Sequence, residues 1–155
     1  MRKLDLQLAD KIKLRGKLHI TVHNVETGEI EQRIIDNVVV KAGKQRIAEL
    51  MLGLSNKIFN KIGVGSDNTT PTEDDTALGS QIGDKKTCTV LEITGTDNNI
   101  ARSRTFFGTQ DNNGTWREAG WFTEDNVMLA RALISPEISK TSAKTVTLKW
   151  EVTVG

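Results

Sequence analysis

The sequence is poor in the residues on which many functions rest. Cys88 is the single cysteine in 155 residues, so no intrachain disulfide forms and the redox compartment is unreadable. Proline occurs twice and tyrosine not at all. No apolar run approaches the roughly 20 residues that cross a bilayer, which argues against a membrane partner. An excess of either charge is also missing: 21 Lys and Arg face 20 Asp and Glu, for a net charge of +1. Nucleic-acid binding normally shows a strong basic excess, so no nucleic-acid partner is expected. The opening MRKLDLQLADKIKLRGK scatters charges where a signal peptide has its apolar core. A soluble chain without Sec-type export is the expectation.

What is present points to β structure. Val, Ile and Thr are abundant, and Gly, Asn and Asp cluster between apolar runs. Residues 1–14 read as an N-terminal arm, with Leu4, Leu6 and Leu8 alternating with polar residues and Ile12 and Leu14 resuming the pattern. The first 17 residues carry six Lys and Arg against two Asp, a local net charge of +4. The arm is either the first edge strand of the domain or an extension that adds a strand to a neighbouring subunit. Residues 15–155 read as one β-sandwich domain.

Within that domain Lys17–His23 is a strand, Asn24 to Gly28 is hairpin-turn chemistry, and Glu29–Val40 returns. Ala42–Leu54 is the one helix, with Ile47, Leu50, Met51 and Leu54 in a single apolar stripe. Further strands are expected over Lys57–Val64, Lys86–Thr94, Ile100–Phe107, Thr115–Phe122, Val127–Ile134 and Lys144–Val154. The last is the most regular, with Val146, Leu148, Trp150, Val152 and Val154 on one face. About eight strands and one short helix predict a mainly β protein, an antiparallel β-sandwich of jelly-roll-like arrangement.

The stretch Ile62–Ile82, IGVGSDNTTPTEDDTALGSQI, organises the chain. It fails three chemical templates. Gly63 and Gly65 do not complete G-x-G-x-x-G, because Asn68 stands at the last position and no βαβ unit follows. Gly43-Lys44 before the helix is not a P-loop, because Gln45 follows and no earlier glycine fits. Asp67, Glu73, Asp74 and Asp75 do not make an EF-hand, because Thr72 occupies the glycine position. Thr72 to Asp75 instead suits a short helical start, Thr72 capping N–H groups and Asp75 favouring the positive end. The glycines are expected where a strand bends or passes close to other backbone.

No other catalytic, cofactor or metal constellation emerges. His19 and His23 share one strand face but lie about 13 Å apart, too far to hold one metal ion. Cys88 alternates within a β run and reads as a small buried group. Glu118 and Glu124 with Asp125 could be arranged as a carboxylate pair, but the sequence sets no constraint on their distance. Phe106, Trp121 and Trp150 are expected in the core. Trp116, beside the Asn113-Gly114 turn, is the expected exposed aromatic and the platform for an alternative glycan-binding function.

The order of segments resembles a family of small tailed-bacteriophage virion proteins. The resemblance rests on VHNVETGEIEQRI, GKQRIAELMLG, the IGxGxxxxxPxxxDTxLG crossover, and the later TWREAGWF, MLARALI and KTVTLKWEVTV. Gln81 stands where many relatives carry an acidic residue. The resemblance implies a non-enzymatic structural subunit of the virion, assembled in the host cytoplasm, with capsid decoration favoured over a tail-fibre, baseplate or tail-tip role. It implies as partners copies of itself, a trimer among the forms considered, and major capsid or tail proteins. The crossover reads as a surface loop re-docked through Ala77, Leu78 and Ile82. The expected assembly contacts are Leu4, Leu6, Leu8, Ser66, Asp67, Asn68, Thr70, Asp74 and Trp116.

Overall fold

A computed structural model describes residues 12–155. The chain order is β1 (Leu14–Asn24), β2 (Ile30–Asp36), β3 (Val38–Val39), α1 (Lys41–Met51), β4 (Phe59–Gly65), β5 (Lys86–Thr87), β6 (Val90–Thr94), β7 (Ile100–Phe107), β8 (Gly114–Thr123), β9 (Met128–Lys140) and β10 (Lys144–Val154). Two five-stranded antiparallel sheets form, here called sheet A (β2-β1-β10-β7-β6) and sheet B (β3-β9-β8-β4-β5). The β-sandwich expected from the alternation is what the chain builds.

Alternation places the core. Leu18, Ile20 and Val22 of β1 and Val146, Leu148, Trp150 and Val152 of β10 point inward from sheet A, all nearly or fully buried. Ile62, Val64, Ala119 and Trp121 answer them from sheet B. Each large apolar side chain so buried contributes about 1.5–3 kcal/mol relative to exposure. Trp121 and Trp150 meet across the sheets with ring centroids 6.2 Å apart. Every tryptophan N–H donates to a partner: Trp116 to the Asn112 carbonyl, Trp121 to the Phe59 carbonyl, Trp150 to Asn37 Oδ1. Burying an indole without such a bond would forfeit part of that gain.

Two expected strands are each split, which turns eight into ten. The run 29–40 breaks at Asn37, so that β2 closes the edge of sheet A and β3 joins sheet B. The run 86–94 breaks at Cys88-Thr89, with β5 in sheet B and β6 in sheet A. Each split lets one apolar run serve both sheets. The first strand begins at Leu14 rather than Lys17, where Leu14 pairs with Val154. Strand β9 runs six residues beyond Ile134, past a register irregularity against Trp116 and Glu118. The hairpin turn forms as expected: Asn24 Oδ1 accepts the N–H groups of Glu26 and Thr27, and Gly28 takes φ 78°.

Three packing expectations are corrected. The helix stops at Met51, and Met51 and Leu54 are exposed while Gly43 and Arg46 are buried. Only Ile47 of the stripe packs on the main core. Phe106 faces outward and Phe107 is the buried partner, stacked edge-on against Trp116 at 5.0 Å, because the inward parity of β7 runs through Ser103 and Thr105. Trp116 is fully buried rather than exposed, because the register irregularity between Trp116 and Glu118 reverses the alternation that Ala119 and Trp121 set and turns Trp116 into the core.

Candidate functional site

The crossover 62–82 is held down by one buried ion pair. Inward-facing Ile62 and Val64 alternate with Gly63 and Gly65, which lie on the outer face of sheet B beside Gly120 and Glu118. Glu118 is fully buried, and Arg131 of β9 donates to it at 2.9 Å. The same carboxylate accepts the N–H groups of Gly79 and Ser80, at 3.0 and 2.8 Å. Arg131 also donates to the Thr69 carbonyl and to Asp75 Oδ2, at 2.9 and 3.2 Å. The pair thus clasps both limbs of the loop. A buried pair is tolerated when further hydrogen bonds satisfy its remaining atoms; here the loop supplies most of them, while Arg131 Nη2 makes no hydrogen bond and faces Asp67 Oδ2 at 3.7 Å.

The glycines follow from this geometry. A Cβ at Gly65 would stand 2.3 Å from Glu118 Oε1 and 2.5 Å from the Ser80 carbonyl. One at Gly79 would stand 1.7 Å from Asp67 Oδ2. Close backbone approach, the expected reason for the glycines, is the observed one. Leu78 closes a second small core with Val40, Phe122 and Met128 beneath the loop. Thr72 and Asp75 act in the opposite sense to a helix cap: the Asp75 carboxylate accepts the Thr72 N–H at 3.0 Å, and only a turn forms.

The expected contact residues now divide. Asn68, Thr70 and Asp74 are exposed on the loop, with Asp74 accepting from Lys41 Nζ at 2.6 Å. Ser66 and Asp67 are half-buried and engaged: the Ser66 carbonyl accepts from Arg117, and Asp67 accepts from both the backbone and hydroxyl of Thr69. The Thr69 bonds hold the Asp67 carboxyl below the usual carboxylate range. The available surface of the loop is therefore its tip, 68–74, rather than its whole polar middle. Trp116 is removed from the contact set by its burial, and with it the glycan platform. Leu4, Leu6 and Leu8 lie outside the described residues.

The three carboxylates weighed for acid–base chemistry are separately occupied. Glu118 holds Arg131, Glu124 holds Lys57 at 2.8 Å, and Asp125 takes a two-pronged bond from Arg46 at 2.8 Å on each oxygen. The Arg46 bonds, then the Thr123 hydroxyl, hold the Asp125 carboxyl well below its ordinary value. This last pair fastens α1 to the β8–β9 turn.

That fastening leaves a gap. Between α1 and the end of sheet A the sandwich is open, and a groove of about 1190 Å³ enters between the sheets. One wall is Ile47, Met51 and Ile58; the other is Leu91, Ile93 and Val152, with Trp121 and Leu129 between. Ile93 is 71 % exposed and Met51 78 %, although Ile93 and Leu91 have the inward parity of β6. Ile12 and Lys13, where the arm joins β1, lie on the rim. Apolar surface left open in this way is a candidate interaction site. The sequence points to neither Arg131 nor the groove as a site, and to Glu118 only as a carboxylate for acid–base chemistry. The one available signal was Arg131, a charge inside the otherwise apolar MLARALI.

Comparison with protein-family models, with curated proteins and with solved structures finds no match for this chain.

Proposed function

We propose that the chain is a non-enzymatic structural subunit of a tailed-phage particle, most simply a head-decoration protein, that works by packing against other protein copies. The observation that carries this reading is the apolar mouth of the sandwich, left uncovered among the described residues. A surface of that kind gains free energy by association. The signature residues of the crossover fit such a role: Gly63, Gly65, Asp75, Leu78 and Gly79 build a rigid loop and present its tip, Asn68 to Asp74. Repetition of modest contacts around a symmetric shell then supplies avidity. The alternative within the class, a tail-fibre, baseplate or tail-tip subunit, uses the same surfaces.

Immunogold labelling of the particles with antibody to this protein tests the reading. Label over heads supports decoration, label confined to tails supports the tail alternative, and particles without label overturn both.

A further inference from the structure

We infer that the groove at the mouth of the sandwich is filled by the N-terminal arm, residues 1–11, of a second copy of this chain. The inference rests on the reading of the chain as an assembly subunit and names the contact that assembles it.

Parity is the first reason. Leu14, Leu18, Ile20 and Val22 face the core from even positions of β1. Leu4, Leu6, Leu8 and Ile12 occupy even positions too, so the arm keeps the apolar phase of β1, interrupted only at Asp10. The groove offers the matching surface. Ile93 and Leu91 are inward-facing positions of an edge strand with nothing over them among the described residues. An extended segment with apolar side chains every second residue is the filler such a mouth accepts.

Direction is the second reason, and it selects a neighbour over the arm's own groove. Continued backward from Leu14, β1 keeps one bond, from the Gly155 N–H to the Lys13 carbonyl at 2.9 Å, and beyond it no strand pairs with the chain among the described residues. Strand β2 leaves sheet A at Asp36, opposite Lys17, and β10 ends at Val154, opposite Leu14. Eleven extended residues reach about 36 Å beyond this point. To enter its own groove the arm must turn at the rim, where Ile12 and Lys13 lie. Residues 1–15 contain no glycine, proline, asparagine or serine, and Asp5 and Asp10 are the only turn-favouring residues there. An arm that keeps the direction of β1 would leave its own sandwich and reach a neighbour's.

Cysteine pairing in the full-length chain tests this, with Cys88→Ser as the background. Chains carrying Leu6→Cys are mixed with chains carrying Ile93→Cys under mild oxidation. The expected result is a mixed disulfide dimer on a non-reducing gel, in clear excess over either homodimer. A chain carrying both substitutions should link into dimers or larger species. Linkage confined within single chains assigns the groove to the chain's own arm and overturns the inference. Absence of an excess of mixed dimer overturns it equally. Native mass spectrometry gives an independent reading: the wild type should be oligomeric, and Leu4→Asp/Leu6→Asp/Leu8→Asp monomeric with an unchanged melting temperature. A monomeric wild type, or an oligomer that survives the triple substitution, sinks the proposal. Labelled phage heads together with a monomeric, unlinked protein would leave the structural role standing and remove only this contact.

Discussion

The two sides of this sandwich treat their surfaces in opposite ways. Over the outer face of sheet B, a 21-residue crossover is closed down on a buried Glu118–Arg131 pair, and glycines are placed wherever a Cβ would touch it. At the mouth between α1 and sheet A, side chains of inward parity remain in contact with water. The first region spends its polar groups on itself and is a finished structure. The second holds apolar surface that the described residues do not cover. The contrast separates the part of the molecule that is closed on itself from the part on which the proposed association rests.

Breaking the closed side should have the largest effect. Glu118→Ala strands a buried guanidinium and the loop N–H groups of Gly79 and Ser80, and should cost about 3–5 kcal/mol in chemical denaturation. Replacing both partners with apolar residues usually costs much less than removing one. Here the saving should be incomplete, because Glu118→Leu/Arg131→Met still removes the acceptor for two backbone donors. A double variant as stable as the wild type would show that the pair holds the loop only weakly.

Next in size is Gly65→Ala. The added methyl meets a carboxylate oxygen and a backbone carbonyl inside 2.6 Å. Overpacking of this kind should cost about 1–3 kcal/mol. The same substitution at Gly79 meets Asp67 Oδ2 at 1.7 Å and Asp67 Cβ at 2.6 Å, and rotating the Asp67 side chain clears the oxygen but not the Cβ. A loss comparable to that at Gly65 is expected, and a much smaller one would show that the loop backbone yields there.

A third test is pH. Arg46 holds the Asp125 carboxyl well below its ordinary value, and Lys86 with the Gly108 N–H does the same to Asp111. A carboxyl with a depressed folded pKa binds protons more weakly folded than unfolded. Its contribution is therefore complete above the usual carboxylate pKa of about 4 and is lost as pH falls through the folded value. Denaturation midpoints should drop between pH 5 and 2, and Asp125→Asn should flatten that drop. An equally steep drop in the variant would relieve Asp125 of this role.

Much of the fold was legible because it depends on parity. The run Val146 to Val154 alternates without a fault, and it forms the central strand of sheet A. The splits at Asn37 and Cys88 were not legible, because a strand that passes from one sheet to the other keeps the same residue types throughout. Trp116 misled because a neighbouring turn suggests exposure, and because the irregularity of β8 between Trp116 and Glu118, which turns the ring inward, leaves no mark in residue spacing. The crossover was legible as a re-docked loop, but not its clasp. Glu118 and Arg131 are 13 residues apart on neighbouring strands, and only the register of β8 on β9 brings them together. The groove left no trace in the sequence. It exists because α1 is held by Arg46 rather than by its apolar stripe, a choice that residue spacing does not reveal.

The smallest expected effect sharpens the comparison most. Met51→Ser and Ile93→Thr remove apolar groups that water already reaches, so each should change the stability of the isolated fold by no more than about 0.5 kcal/mol. The same changes weaken any contact made at the mouth. Sedimentation of these variants should therefore show dissociation at higher protein concentration than for the wild type, while their denaturation curves at low concentration overlay. A substantial loss of folding stability would mean that the mouth is already covered within one chain. Unchanged sedimentation and unchanged stability together would deny the mouth any part in association. Only the combination of an intact fold and a weakened assembly fits a surface kept open for a neighbour.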